Sequence, residues 1–207
     1  MNTPIKHVVF DIGGVLLAYN VELPFRRLIT DAAKRHWFLT EVCTTEWNIE
    51  QDRGRSWSDA EDILIAQYPD EEELIRAYRK NWSEMITHPH QDTVNTLLSM
   101  IQRGVDVTLL SNWNDDTFEE IRHQYTFLNK PRGATISGRV GLIKPDPAIF
   151  EHHAIEYGCS PADSLFIDDN AQNVATARQC GWHSIHYLDH ASFENDLTGF
   201  TVLSKNS

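Results

Sequence analysis

The stretch VVFDIGGVLL, Val8 to Leu17, decides how the rest of the chain is read. A short run of β-branched and aromatic residues meets a carboxylate, Asp11, and then breaks on two glycines, Gly13 and Gly14. A continuous apolar run of this length suits a strand covered on both faces, as in a parallel sheet. Glycine after such a strand suits a tight turn at positive φ, so both Gly13 and Gly14 are candidates for that conformation. In open α/β sheets, ligands bind at the carboxyl ends of the strands, which is where this reading puts Asp11.

Working outward, VDVTLLSN (105–112) and ADSLFIDDN (162–170) repeat the pattern, HSIHYL (183–188) does so more weakly, and GATIS (133–137) is a fifth candidate strand. Helical patterns lie between them. QDTVNTLLSMIQRG (91–104) closes on Gly104, and NDDTFEEIRHQY (114–125) opens on cap-forming residues and acids. DPAIFEHHAIEYG (146–158) has Asp146 as N-cap, Pro147 at the first helical position and Gly158 as the stop, and NAQNVATARQCG (170–181) also ends on glycine. Strand and helix alternate, which predicts an α/β fold with a Rossmann-like, doubly wound parallel sheet.

Residues 19–86 break the alternation: they contain no convincing strand and hold four of the six tryptophans, Trp37, Trp47, Trp57 and Trp82. SDAE (58–61) reads as a capping box and DRG (52–54) as a sharp turn between helices. The expected organisation is an α/β core of 1–18 and 87–207 with a small all-helical domain, 19–86, inserted between them through linkers near 17–20 and 84–90. Trp37 and Trp82 read as core. Trp47 and Trp57 flank the DRG turn and suit either core or substrate contact, and Arg53 suits either a ligand or a surface ion pair. His152–His153 and His88–His90 read as solvated, and Cys180 as packing.

Composition narrows the function. A formal charge of −12 repels nucleic-acid phosphates and anionic membranes, so neither is an expected partner, and any phosphate bound here needs a local positive centre. Three scattered cysteines, no apolar run of membrane-spanning length and no cleavable leader pattern lead to the expectation of a reduced, cytoplasmic protein, with a monomer as default.

The polar residues at strand ends define a candidate site: Asp11, Ser111 with Asn112, and Asp168 with Asp169, joined by Lys144 in GLIKPDP. Carboxylates ~4 Å apart repel by on the order of 4 kcal/mol at an effective dielectric near 20, so such a cluster raises a pKa or holds a cation. An all-oxygen donor set favours Mg²⁺ over zinc. Lys144 adds a point charge for a substrate phosphate, and Ser111 and Asn112 add hydrogen-bond donors. An ionised Asp11 in line with a phosphoryl group can attack phosphorus and form an aspartyl phosphate.

Four segments, FDIGGVLL, LLSNWN, IKPDPAIFEHH and FIDDNAQNVATA, strongly resemble the haloacid dehalogenase superfamily, most of all its branch of glucose-1-phosphate phosphatases and epoxide-hydrolase N-terminal phosphatases. The resemblance extends to about residue 190 and implies a hydrolase of the first subclass, with the 19–86 insertion as its helical cap. It implies Asp11 as nucleophile, Ser111 and Lys144 on the phosphate, and Mg²⁺ held by Asp11, the Gly13 carbonyl and Asp169, with Asp168 direct or through water. Most phosphatases of the family carry an acid/base aspartate two residues after the nucleophile, where this chain has Gly13. The expectation is therefore a Mg²⁺-dependent phosphatase of a small phosphorylated metabolite, a sugar phosphate being one candidate. It should be slow, or move its proton through water, the substrate or a cap residue. A metal-independent 2-haloacid dehalogenase and a non-catalytic binding protein are the alternatives.

Overall fold

A computed structural model describes residues 3–204; the ends of the expected core range, 1–2 and 205–207, lie outside the described residues. The described residues form nine strands: β1 (Thr3–Ile5), β2 (His7–Phe10), β3 (Leu17–Tyr19), β4 (Ile86–Pro89), β5 (Asp106–Ser111), β6 (Ala134–Ile136), β7 (Ser164–Asp168), β8 (His183–His186) and β9 (Phe200–Val202). Five of them make one parallel sheet in the order β6-β5-β2-β7-β8. This is the doubly wound α/β architecture that the alternating runs predict.

The sheet owes its stability to burial on both faces. Every residue of β2 and β7 is buried, and in β5 all but Asp106. Alternation sends Val8 and Phe10 to the larger core. Val9 goes to a second cluster with Leu110, Phe150, Phe166 and Trp182 on the opposite face.

The core helices are α6 (Gln91–Gln102), α7 (Asp115–Gln124), α8 (Ser137–Val140), α9 (Pro147–Tyr157), α10 (Ala171–Gln179) and α11 (His190–Leu197). Their caps follow the sequence: Asn114 caps α7, Asp146 caps α9 ahead of Pro147, Gly158 ends α9 in the left-handed conformation, and Asn170 caps α10.

Between β3 and β4 the chain is helical: α1 (Glu22–Leu28), α2 (Ala32–Trp37), α3 (Thr45–Asp52), α4 (Trp57–Gln67) and α5 (Glu72–Lys80). Four local expectations change. The segments read as linkers pair with each other as the antiparallel ribbon β3–β4, which is too short to leave a periodic signal. The α4 cap is Ser56, not Ser58: Ser56 Oγ accepts from the Asp59 N–H at 3.1 Å, and Asp59 takes the hydroxyl in return. Trp37 is exposed, edge-on to Tyr68, whereas Trp47, Trp57 and Trp82 are buried. His153 is fully buried, because Thr135 and Thr108, from two different strands, meet its Nδ1 at 2.8 Å and Nε2 at 2.9 Å. Among the described residues no helix is long and apolar enough to cross a membrane.

Candidate active site

Parallel pairing sets the carboxyl ends of β2, β5 and β7 on one rim, and the residues singled out from the sequence converge there. Phe10 pairs with Ile167, so Asp11, one residue on, stands beside Asp168, and its N–H donates to the Ile167 carbonyl at 2.9 Å. Ser111 ends β5 and donates its hydroxyl to Asp11 Oδ1 at 2.6 Å. Lys144, in the turn between α8 and α9, is 3% exposed. Its Nζ lies 2.9 Å from Asp11 Oδ2 and 2.6 Å from Asp168 Oδ2, and donates to the Leu110 carbonyl at 3.0 Å. The ammonium is thus held between the two carboxylates.

Asn112 holds this arrangement from behind. Its Nδ2 donates to the Lys144 carbonyl at 2.9 Å and its Oδ1 accepts from the Lys144 N–H at 2.8 Å, which fixes the turn that delivers the lysine. Its side chain is thus occupied with positioning, with one amide hydrogen left over. Asp168 is fully buried and accepts from the Asn170 N–H at 2.7 Å and from Asn173 Nδ2 at 3.0 Å. Asn173 escaped the sequence reading, although its place five residues after Asp168, on the first turn of α10, is the available signal.

Asp169 completes a cluster: oxygens of Asp11, Asp168 and Asp169 all lie within 4.8 Å of one another. The two glycines behave differently. Gly14 has φ +72, and a Cβ there would stand 2.1 Å from Asp169 Oδ2. Glycine is what lets that carboxylate fold against the loop. Gly13 lies outside the left-handed region, contrary to expectation, and a Cβ there would approach no heavy atom closer than Trp113 Cζ3 at 3.9 Å.

The charges do not balance. One ammonium faces two buried carboxylates and a third at their edge. Burial pushes Asp11 up to about 7, with Asp168 adding to the rise and Lys144 and Ser111 opposing it. Burial alone would lower Lys144, but Asp11 and Asp168 outweigh it and hold the ammonium above its ordinary range. Burial, then Asp168, raises Asp169. This excess negative charge on oxygen donors alone fits a hard divalent cation.

A cavity of about 290 Å³ opens from this rim toward the helical insertion. Gly13, Gly14, Asn112, Trp113 and Asp169 line it on the core side, and Tyr19, Asn48, Asp52 and Trp82 on the other. Trp82 and Trp113 pack edge to face at 5.3 Å. The turn after α3 is tied to the core: Asn114 Nδ2 donates to the Gln51 carbonyl at 3.1 Å, and Ser137 Oγ donates to the Asp52 carbonyl. Arg53 points away into an exposed ion pair with Glu50, 3.7 Å apart. Trp47 packs with Trp57 and Tyr78, and neither tryptophan lines the cavity. Tyr19, Asn48, Asp52 and Trp113 are the cavity residues the sequence did not single out. Asp52 sat in view, in the DRG turn beside Arg53.

Comparison with known proteins agrees with this geometry. A family model described as haloacid dehalogenase-like hydrolase matches residues 5–181. A sesquiterpene phosphatase of Aspergillus oryzae is 25% identical over 191 residues, covering 91% of this chain and 93% of that protein. A D-ribitol-5-phosphate phosphatase of Bacteroides thetaiotaomicron is 22% identical over 204 residues, covering 94% of this chain and 97% of its own. Among solved structures, a magnesium complex of a haloacid dehalogenase family enzyme from the same bacterium superposes with a TM-score of 0.70 at 22% identity, covering 87% of this chain and 92% of that one.

Proposed function

The chain belongs to the haloacid dehalogenase-like hydrolase family, as a hydrolase of phosphomonoesters, and from that premise we propose a Mg²⁺-dependent phosphatase that works through an aspartyl phosphate on Asp11. The carrying observation is the rim itself: Asp11 held by Ser111 and Lys144, with Asp168 and Asp169 alongside. Asp11, Asp168 and Asp169, with the Gly13 carbonyl, would hold Mg²⁺, which supplies charge neutralisation for the meeting of two anions.

The protein's own groups do the rest. The Ser111 and Ile12 donors on Asp11 Oδ1, at 2.6 and 2.7 Å, fix the carboxylate's orientation and leave Oδ2 facing Lys144. Oδ2 is the attacking oxygen in this reading, and Lys144 is the charge that meets the incoming phosphate. Residues 19–86 act as a cap: the cavity between the Trp82–Trp113 pair and Asn48 takes the part of the substrate beyond phosphorus. A small phosphorylated polyol or sugar fits a cavity of about 290 Å³ walled by aromatic faces, two amides and two carboxylates. With no side chain at Gly13, the rate depends on another proton carrier, a role worth roughly 10²–10⁴-fold.

A 2-haloacid dehalogenase would need no cation. Asp169 drawn in against Gly14 to complete a three-carboxylate cluster favours the metal-dependent reading. The test is phosphate release from phosphorylated polyols, sugars and nucleotides, with Mg²⁺ or EDTA, by wild type and Asp11→Asn. Release that needs both Mg²⁺ and Asp11 supports the proposal; release that survives EDTA or Asp11→Asn refutes it.

A further inference from the structure

Gly13 leaves the leaving-group oxygen without its usual proton donor, yet the cavity beside Gly13 contains a carboxylate that the phosphatase reading does not use. Three titratable side chains line it: Asp169, Tyr19 and Asp52. Asp169 belongs to the metal cluster. Tyr19 is a phenol, with an ordinary pKa of about 10 and so too weak an acid for neutral pH, and its hydroxyl donates to Met85 Sδ at 3.5 Å. Asp52 remains. We infer that Asp52, carried on the helical insertion, is the general acid and base of this enzyme in place of a side chain at position 13.

The surroundings fit a proton carrier. Asn48 Nδ2 donates to Asp52 Oδ2 at 3.1 Å, which orients the carboxyl. Asp52 is the last residue of α3, and the turn after it is fixed to the core through Gln51–Asn114 and Ser137. That tie fixes the end of α3, and Asp52 with it, in the wall of the cavity. Burial pushes Asp52 up to about 7, with a main-chain hydrogen bond from Asn114 opposing, so both protonation states are populated near neutral pH, as a residue that gives and then takes a proton requires.

The inference rests on the phosphatase reading, and its steps balance. Asp11 oxygen attacks phosphorus as the bond from phosphorus to the leaving oxygen breaks. That oxygen takes the Asp52 proton and departs as an alcohol. Ionised Asp52 then takes a proton from water as the water oxygen attacks the aspartyl phosphate, which releases phosphate, frees the Asp11 carboxylate and reprotonates Asp52.

The test compares wild type, Asp52→Asn, and Gly13→Asp in the Asp52→Asn background on two substrates, D-ribitol 5-phosphate and 4-nitrophenyl phosphate, by rapid mixing. The amide preserves the acceptor for Asn48, and an unchanged melting midpoint checks the fold. For the polyol phosphate, whose alkoxide needs a proton, Asp52→Asn should lose roughly 10²–10⁴-fold in kcat with no burst of alcohol. For the nitrophenyl ester, whose phenolate leaves unprotonated, it should release one equivalent of nitrophenolate in a burst and then turn over slowly. Gly13→Asp should recover at least about tenfold of the lost kcat. A burst of alcohol from the polyol phosphate, no burst of nitrophenolate, a change in KM alone, no loss, or no recovery overturns the inference while the phosphatase stands. Absence of Asp11-dependent release by wild type overturns both.

Discussion

Gly14→Ala is a sharp test of the rim, because its neighbour Gly13→Ala is its own control. At Gly14 an added Cβ would lie 2.1 Å from Asp169 Oδ2, where ordinary contact begins at 3.4 Å, so the carboxylate must withdraw by 3.4 − 2.1 = 1.3 Å. Mg²⁺ accepts oxygens only near ~2.0–2.1 Å, so a displacement of that size removes Asp169 as a ligand. Loss of an outer-shell partner weakens metal affinity about 10–100-fold, and loss of a direct ligand should cost no less. The fold should survive, since the obstructing group is the end of a mobile side chain. The φ of +72 costs an L-residue roughly 1–2 kcal/mol, a fall of about 2–8 °C in melting midpoint for a chain of this size. At Gly13 neither problem arises, since the Cβ meets Trp113 Cζ3 at 3.9 Å and the backbone is not left-handed. Calorimetric Mg²⁺ titration of both variants should show weakening of about tenfold or more for Gly14→Ala and near wild-type affinity for Gly13→Ala. Equal affinities would refute the assignment of Asp169 to the metal.

Two further outcomes follow from buried charge. Lys144→Met removes the cation between Asp11 and Asp168, at 2.9 and 2.6 Å, and should destabilise the metal-free protein by about 3–5 kcal/mol in urea unfolding; a loss under about 1 kcal/mol would contradict the pairing. His153 is held down to about 3 by burial and then by the charges of His7, Arg132, His152 and Lys144, against an unfolded value of 6.5. Its folded pKa is depressed, so its contribution is complete above the unfolded value and is lost as pH falls from there toward about 3. At pH 5 the loss is about 2 kcal/mol, and unfolding curves of wild type minus His153→Gln should show that slope. Asp11 and Asp52, both raised, act in the opposite direction, and the subtraction removes them.

The sheet was legible because buried parallel strands must be continuously apolar and must end where polar residues begin. VVFD, TLLS and FIDD each announce a strand and its functional end together. Lys144 was legible from its turn, and the caps of α7 and α9 from local chemistry. What stayed hidden depends on partners distant in sequence. Asn112 looked like a ligand and is occupied with the Lys144 main chain, 32 residues away. His153 looked solvated because the threonines that satisfy it come from β5 and β6. Asp52 stood in a legible turn, DRG, but its place in the cavity is set by how the α3 end meets Asn114 and Ser137. β1, β3, β4 and β9, three or four residues each, are too short for a period to register.

The central claim is that Asp11 is the nucleophile, and the most direct measurement is acid quenching of the enzyme during turnover, followed by mass spectrometry of the peptide containing Val8 to Leu17. The account predicts one phosphoryl group on Asp11 in wild type, absent in Asp11→Asn and absent when EDTA replaces Mg²⁺. Steady phosphate release with no phosphoryl group on that peptide, or a group on another residue, would contradict it.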